Sequence, residues 1–215
     1  MSKVIDDLTA SLIQAGALEK ASRFLPHANN YELVFDNPIA VYSNTNEDAA
    51  PFAEIFLKFA PKLSDTKEIS AVVRCMTQSK GFESAVPWLL SLFHNYPENG
   101  LSDATLWSAG NALRVINDQS SYPMILEICK NKIYGSSRQM LMGVLPRVGT
   151  SEAYDLLIRC LSDSSLRGHA IVAIGKFGNV DAIPILEALE VEKGKYEHKA
   201  KKTALKRLRS KQGST

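Results

Sequence analysis

The sequence predicts an all-α chain built of stacked helical hairpins. Two observations carry that prediction. Four segments of the chain align into columns at spacings of 36, 32 and 29 residues, a length that suits a two-helix unit. Within each segment, apolar residues recur at helical intervals directly after a Gly or Asn. A hydrophobic fraction of 45% beside a charged fraction of 22% places the chain among ordinary globular proteins, with enough apolar material for a continuous core.

The columns start from Gly81, Asn117, Gly149 and Gly178. These two residue types tolerate the left-handed backbone that ends a helix, so each marks the close of a hairpin's first helix. Four residues on stand Ala85, Ser121, Ala153 and Ala182, all small. Then come Pro87, Pro123, Asp155 and Pro184, where proline opens the second helix because that N–H has no intrahelical partner. Trp88, Met124, Leu156 and Ile185 form an apolar column, followed by Leu89, Ile125, Leu157 and Leu186. Leu92, Ile128, Cys160 and Leu189 complete one helix face. In the first helices, Leu113, Leu145 and Ile174 share a column, whose equivalent before Gly81 is Thr77.

The run from Leu166 to Leu186, which includes Ala173-Ile174-Gly175-Lys176-Phe177-Gly178-Asn179-Val180-Asp181-Ala182-Ile183-Pro184, resembles a HEAT-like repeat of the short kind named in phycobilisome lyases. Its predecessor from Arg138 to Leu161 is similar, with Val148-Gly149 ahead of Glu152-Ala153. The resemblance is good over 135–192 and weaker over 66–132. It implies a right-handed α-solenoid, and it leaves function open, since such repeats serve adaptors, lyases, glycosylases and inhibitors alike.

Taken in order, Val4 to Leu25 reads as helical, with Ile5, Leu8, Leu12 and Ile13 on one face and Gly16 as a dividing point. The Asn-rich stretch 26–48, which contains Pro38, reads as an irregular loop. Phe52 to Phe59 is a helix between Pro51 and Pro61. Residues 1–65 therefore form an N-terminal cap. Four hairpins follow over 66–192, at about 66–95, 102–132, 136–162 and 165–192. Residues 193–215 hold a basic cap helix and tail, and the whole is expected to be one continuous domain.

The net charge of +2 conceals a division. From Lys193 onward nine Lys and Arg face one acidic residue, Glu197, so the remaining 192 residues carry 16 basic and 22 acidic side chains. The body is acidic and the end is basic. The basic segment is either the solvated face of a cap helix or a contact for RNA or a membrane surface. No apolar run approaches the roughly 20 residues that cross a bilayer, and the acidic start lacks a signal-peptide core, so a cytoplasmic location is expected. Cys75, Cys129 and Cys160 are unpaired in spacing and suggest neither disulfides nor a zinc knuckle.

No arrangement of residues points to catalysis, a cofactor or a metal. His27, His94, His169 and His198 fall at unrelated repeat positions, and none pairs with a carboxylate at zinc-protease spacing. Cys129 and Cys160 sit in or beside core columns, where cysteine acts as a small hydrophobe. Trp88 is expected in the core, and the side faced by Trp107 is open. The recognition surface is sought on the second helices, where Glu127, Asp155, Arg159, Glu187 and Glu190 lie between apolar columns. Tyr122 and Tyr154 share one further column, either buried at the hairpin contact or exposed as binding anchors. The expected function is that of a noncatalytic, protein-binding solenoid with an acidic surface for a basic partner. In size and charge it is similar to bacterial immunity proteins that neutralise nuclease toxins. The rivals are a HEAT-like nucleic-acid binder or DNA glycosylase using Arg114, Arg138, Arg147, Arg159 and Arg167, and an adaptor or lyase-type chaperone. The acidic body weighs against nucleic acid, because phosphate neutralisation supplies most nonspecific affinity.

Overall fold

The computed structural model describes residues 2–16, 50–77, 81–94 and 96–213, all of whose regular structure is helical. The expected irregular loop at 26–48 lies outside the described residues. By internal packing the chain divides into two compact units, Met1–Asp118 and Gln119–Thr215. The boundary falls between the two helices expected to form the second hairpin.

The first unit contains α1 (Lys3–Gln14), α2 (Ala50–Phe59), α3 (Thr66–Cys75), α4 (Val86–His94) and α5 (Asp103–Ile116). Helix α1 stops two residues before Gly16, whose φ of 77° ends the helical path. It packs against α2, while α3 and α4 both pack against α5. Ile5, Leu8 and Leu12 of α1 are fully buried, and Phe56 meets Phe82 at a ring-centroid distance of 6.1 Å. The N-terminus of α1 is tied to α3 by a buried carboxylate. Ser2 donates from its backbone N–H to Glu68 Oε1 and from its Oγ to Oε2, each at 2.6 Å. Glu68 is only 8% exposed, and these bonds offset its desolvation.

The second unit contains α6 (Tyr122–Lys130), α7 (Leu145–Val148), α8 (Ser151–Arg159), α9 (Arg167–Phe177), α10 (Ala182–Ala188) and α11 (Tyr196–Gln212). Between α6 and α7 the chain runs through 3-10 turns at Lys132–Gln139 and Leu141–Gly143. A regular first helix was expected there. Gly135, at φ 43° and ψ −129°, kinks the path. Pro146 has no N–H for the carbonyl of Met142, so a continuous α-helix cannot run through it, and only Leu145–Val148, closed by Gly149, keep α geometry. The buried side chains Leu141, Met142, Val144 and Leu145 still point inward. Helix α9 packs on α7 and α8 and lies along α11, which also contacts α10.

The columns read from the sequence correspond to physical roles in both units. Gly81, Asn117, Gly149 and Gly178 all have positive φ, from 60° to 81°. Asn117, Gly149 and Gly178 each close the preceding helix by donating their N–H to the carbonyl four residues back. Ala85, Ser121, Ala153 and Ala182 are buried, and Leu89, Ile125, Leu157 and Leu186 are completely so. Leu113, Leu145 and Ile174 are buried as well. One apolar column departs from expectation. Leu156 is buried and Trp88 half-buried, but Met124 and Ile185 are 41% and 39% exposed. Adjacent helix positions are about 100° apart, so a column next to the fully buried one sits at the edge of the packed face.

Candidate protein-binding surface

The solvent-facing sides of α6, α8 and α10 carry the residues singled out for recognition except Glu190, which was expected on a second helix but lies beyond the end of α10 at Ala188. Glu127, Asp155, Arg159, Glu187 and Glu190 are all exposed. They do not act as one free acidic set, because basic residues intercept some of them. Lys130 lies 2.7 Å from Glu127, one turn back on α6, and 2.5 Å from Glu152 in the first turn of α8. The Glu127 hydrogen bond and then the Glu152 bond hold the Lys130 ammonium above its usual pKa. Glu187 turns toward α11, where Arg209 Nη2 donates to its Oε1 at 2.5 Å. Asp155 and Glu190 enter no ion pair with the described residues. Of the four acidic residues singled out, only these two therefore stay outside ion pairs, and Glu190 shares a cavity wall with Lys193 and Lys202.

Tyr122 and Tyr154 are both half-buried, between the two arrangements open from sequence. The Tyr154 ring packs on Phe177 with centroids 5.3 Å apart. Its hydroxyl oxygen is shut away from solvent and has no hydrogen-bond partner among the described residues. Burial, followed by the nearby Asp181 and Asp155 carboxylates, pushes the Tyr154 pKa above its usual 10.0. Tyr154 therefore offers a partner no polar tip. Beside these residues lie Pro123, Met124, Pro184 and Ile185, all exposed, so the stripe is partly apolar as well as acidic. Trp107, in the first unit, is 37% exposed on α5.

Past α10, Glu187, Leu189, Glu190, Lys193, His198 and Lys202 line a cavity of about 480 Å³. Lys201 closes the end of α10, donating from Nζ to the carbonyls of Glu187 at 2.9 Å and Leu189 at 2.7 Å. A cation there satisfies carbonyls that lack intrahelical partners and meets the negative end of the helix dipole.

The arginines considered for phosphate contact serve other ends. Arg138 is 4% exposed, and its guanidinium donates to the carbonyls of Gly135 at 3.0 Å and Cys129 at 3.1 Å. Its remaining edge faces Asp163 at 3.4 Å. Arg167 donates from Nε to the Leu161 carbonyl at 2.8 Å and lies 4.0 Å from Glu197. Arg114 is half-buried and donates to Asn111 at 2.7 Å. Arg147 and Arg159 alone of this set are exposed. Sequence reasoning missed the structural role of Arg138 because its acceptors are set by the kinked 132–139 segment, which no local pattern announces. It also missed Glu152, although Lys130 and Glu127 at i, i+3 were a readable beginning of that network.

The three cysteines are buried. Burial pushes the Cys129 thiol far above its ordinary range, with Cys160 adding to the shift, so it is an inert core group. Among the described residues no helix is long and apolar enough to cross a membrane. No protein-family model, curated protein or solved structure matches the chain.

Proposed function

We propose that the protein is a noncatalytic binding module, a right-handed α-solenoid of HEAT-like hairpins that receives a basic protein on the second helices of its C-terminal unit. The observation that carries this reading is the composition of that solvent-facing stripe. It combines exposed apolar side chains at one repeat position, Met124 and Ile185, with the exposed carboxylates Asp155 and Glu190. Single exposed apolar residues are ordinary, but recurrence at one repeat position beside unpaired carboxylates is the composition of a recognition patch. Acidic charge outside ion pairs steers a cationic partner and speeds its association.

The class of partner that fits is a nuclease, which must carry positive charge where it meets its substrate. The protein would then act as a cytoplasmic inhibitor of the immunity type, covering that charge. An adaptor or a lyase-type chaperone would use the same stripe for a different partner. A glycosylase-like reading is weakened because Arg138 and Arg167 are committed to backbone carbonyls within the fold.

Mixing the protein with a panel of basic nucleases, while following nuclease activity and binding heat, tests the proposal. We expect Asp155→Lys with Glu190→Lys to weaken inhibition by about a hundredfold, in line with loss of two close charge pairs. Glu127→Lys with Glu187→Lys should do less, since Lys130 and Arg209 already screen those carboxylates. Inhibition indifferent to Asp155 and Glu190 would remove this surface from the account.

A further inference from the structure

We propose that the cavity beyond α10 is the anchor pocket of the recognition surface and takes an apolar side chain, such as a leucine, from the partner protein. The inference rests on the protein-binding reading above. It adds the contact that holds a partner once charge has brought it in.

The cavity exists because the last hairpin departs from the pattern of the others. Leu92, Ile128 and Cys160 share one repeat position and are 8%, 5% and 6% exposed. Leu189 stands at the same position and is only half-buried. Helices α4, α6 and α8 have nine residues each, whereas α10 has seven. Its backbone turns extended at Leu189, where ψ is 117°. The chain past α10 thus lines a cavity of about 480 Å³ in place of adding a helical turn. Ala188, Leu189 and Val191 supply its apolar wall on this side, and Leu205 of α11 faces them across it.

Two links from α11 set the walls before any partner arrives. Lys201 Nζ donates to the carbonyls of Glu187 at 2.9 Å and Leu189 at 2.7 Å, and Arg209 donates to the Glu187 carboxylate. A preset wall loses less freedom on binding than one that must be ordered. The volume falls among those of pockets that bury a ligand, roughly 300 to 1,000 Å³. The rim carries both signs, with Glu190 opposite in charge to Lys193 and Lys202. An apolar centre within a polar rim is the anatomy of a protein interface. A free fatty acid is a poorer fit, since Glu190 would repel its carboxylate at the rim. A basic protein fits better, because a cation of its own meets Glu190 while the neighbouring apolar side chain enters the cavity. Ile185, 39% exposed on α10, extends the apolar contact toward the rest of the stripe.

Methyl NMR of the full chain, labelled at leucine and valine, reads the cavity without a nuclease. The probe is N-acetyl-leucinamide, a neutral stand-in for a partner's leucine. Methyl signals of Leu189, Val191 and Leu205 should shift and saturate with a dissociation constant of about a few millimolar, as expected for roughly a dozen non-hydrogen atoms. N-acetyl-glycinamide, which lacks the side chain, should leave them in place. Ala188→Leu, which narrows the cavity, and Val191→Ser, which makes its wall polar, should each weaken the probe at least about threefold. Against a nuclease that the parent inhibits, the two changes together should weaken inhibition at least about tenfold without altering its salt dependence, whereas Asp155→Lys with Glu190→Lys alters both. Melting temperatures of the variants separate loss of the cavity from loss of the fold. Absence of saturable shifts, equal shifts from N-acetyl-glycinamide, or full inhibition by a variant that no longer binds the probe would each overturn the proposal. So would binding of octanoate a hundredfold tighter than the probe, which marks a lipid site, or a self-association that Ala188→Leu abolishes, which makes a second copy the occupant. The two ideas fail separately: without any inhibited nuclease the methyl shifts still report the cavity, and without the shifts the effect of Asp155 and Glu190 still reports the acidic surface.

Discussion

The close approach of α9 and α11 makes two glycine substitutions informative as a pair. Both Gly175 and Gly168 lie in α9 and both are buried against α11. Alanine is the better helix former by about 0.8–1.0 kcal/mol in a helix interior, so propensity alone favours Gly→Ala at each. The neighbours differ. At Gly175 the added methyl would sit 2.8 Å from both Cα and Cβ of Ala204, atoms fixed to the backbone. Ordinary carbon–carbon contact lies near 3.5–4.0 Å, so the helices would have to part by roughly 1 Å along their tightest contact. Overpacking of this kind costs typically 1–3 kcal/mol, and parting the helices also loosens the packing of Ala204 and Leu208. The loss exceeds the propensity gain, and a net destabilisation of about 1–2 kcal/mol follows for Gly175→Ala.

At Gly168 the methyl would meet Cδ1 and Cε1 of Tyr196 at 2.6 Å. These are edge atoms of a ring on a side chain that is 56% exposed, so the ring can swing away about its Cα–Cβ bond. Gly168→Ala should therefore fall within about 0.5 kcal/mol of the parent, since the relief costs little and the first turn gains little propensity. Urea denaturation followed by circular dichroism gives both values, with an unchanged slope as the check that the unfolding reaction is the same. For a chain of this length 1 kcal/mol moves the melting temperature by about 2–4 °C. Gly175→Ala equal to or more stable than the parent would show that α11 does not lie where the structure has it.

Arg138→Met should destabilise by about 3 kcal/mol in the same assay, because the carbonyls of Cys129 and Gly135 lose charged donors in a buried place. A loss below about 1 kcal/mol would mean that water replaces the guanidinium without penalty. Asp163 is held below its ordinary 3.8, first by the Ser165 hydroxyl, against the opposing effect of burial, and further by the Ser165 backbone N–H and Arg138. A lowered carboxylate pKa contributes stability that is complete above about pH 4 and is lost as the pH falls through the folded-state value. Asp163→Asn should accordingly reduce stability at neutral pH and flatten its decline in acid; parallel pH profiles for parent and variant would refute this. Tyr154→Phe removes a hydroxyl that is buried without a partner, so it should leave stability unchanged or raise it by up to about 1 kcal/mol. A raised tyrosine pKa means stability present below pH 10 is lost as the pH rises through the folded-state value, so the variant should also resist alkaline unfolding better. Clear destabilisation would reveal a hydrogen bond made by that hydroxyl in solution.

Helix ends and buried columns were legible from sequence because their causes are local. Asn117, Gly149 and Gly178 adopt left-handed geometry for the same reason that their residue types were informative, and Leu89, Ile125, Leu157 and Leu186 follow from a 3.6-residue period. Features with distant or competing causes were less legible. Pro146 breaks a helix whose apolar periodicity continues through the break, so pattern and backbone chemistry disagreed at 136–148, and the chemistry decided the geometry. The exposure of Met124 depends on which neighbour its helix edge meets. The pairing of Glu187 with Arg209 spans 22 residues and requires α11 to lie against α10. Among the seven residues singled out for recognition, exposure of the five charged ones could be read from the sequence, but their pairing could not.

That pairing also gives the charge division of the sequence a physical form. The excess of acid before Lys193 and of base after it need not produce two free fields, since opposite charges brought together in one unit neutralise each other. In the C-terminal unit the cancellation is selective. Arg209 reaches back to Glu187, and Lys201 is spent on the carbonyls that end α10. Asp155 on α8 and Glu190, just past the end of α10, stay exposed outside any ion pair among the described residues. Exposed ion pairs contribute at most about 1 kcal/mol each to stability, so fold stability alone does not require this arrangement. Its larger consequence is for recognition. Salt bridges made within the unit occupy Glu127 and Glu187 and leave Asp155 and Glu190 outside any ion pair among the described residues, which is the basis of the proposed recognition surface.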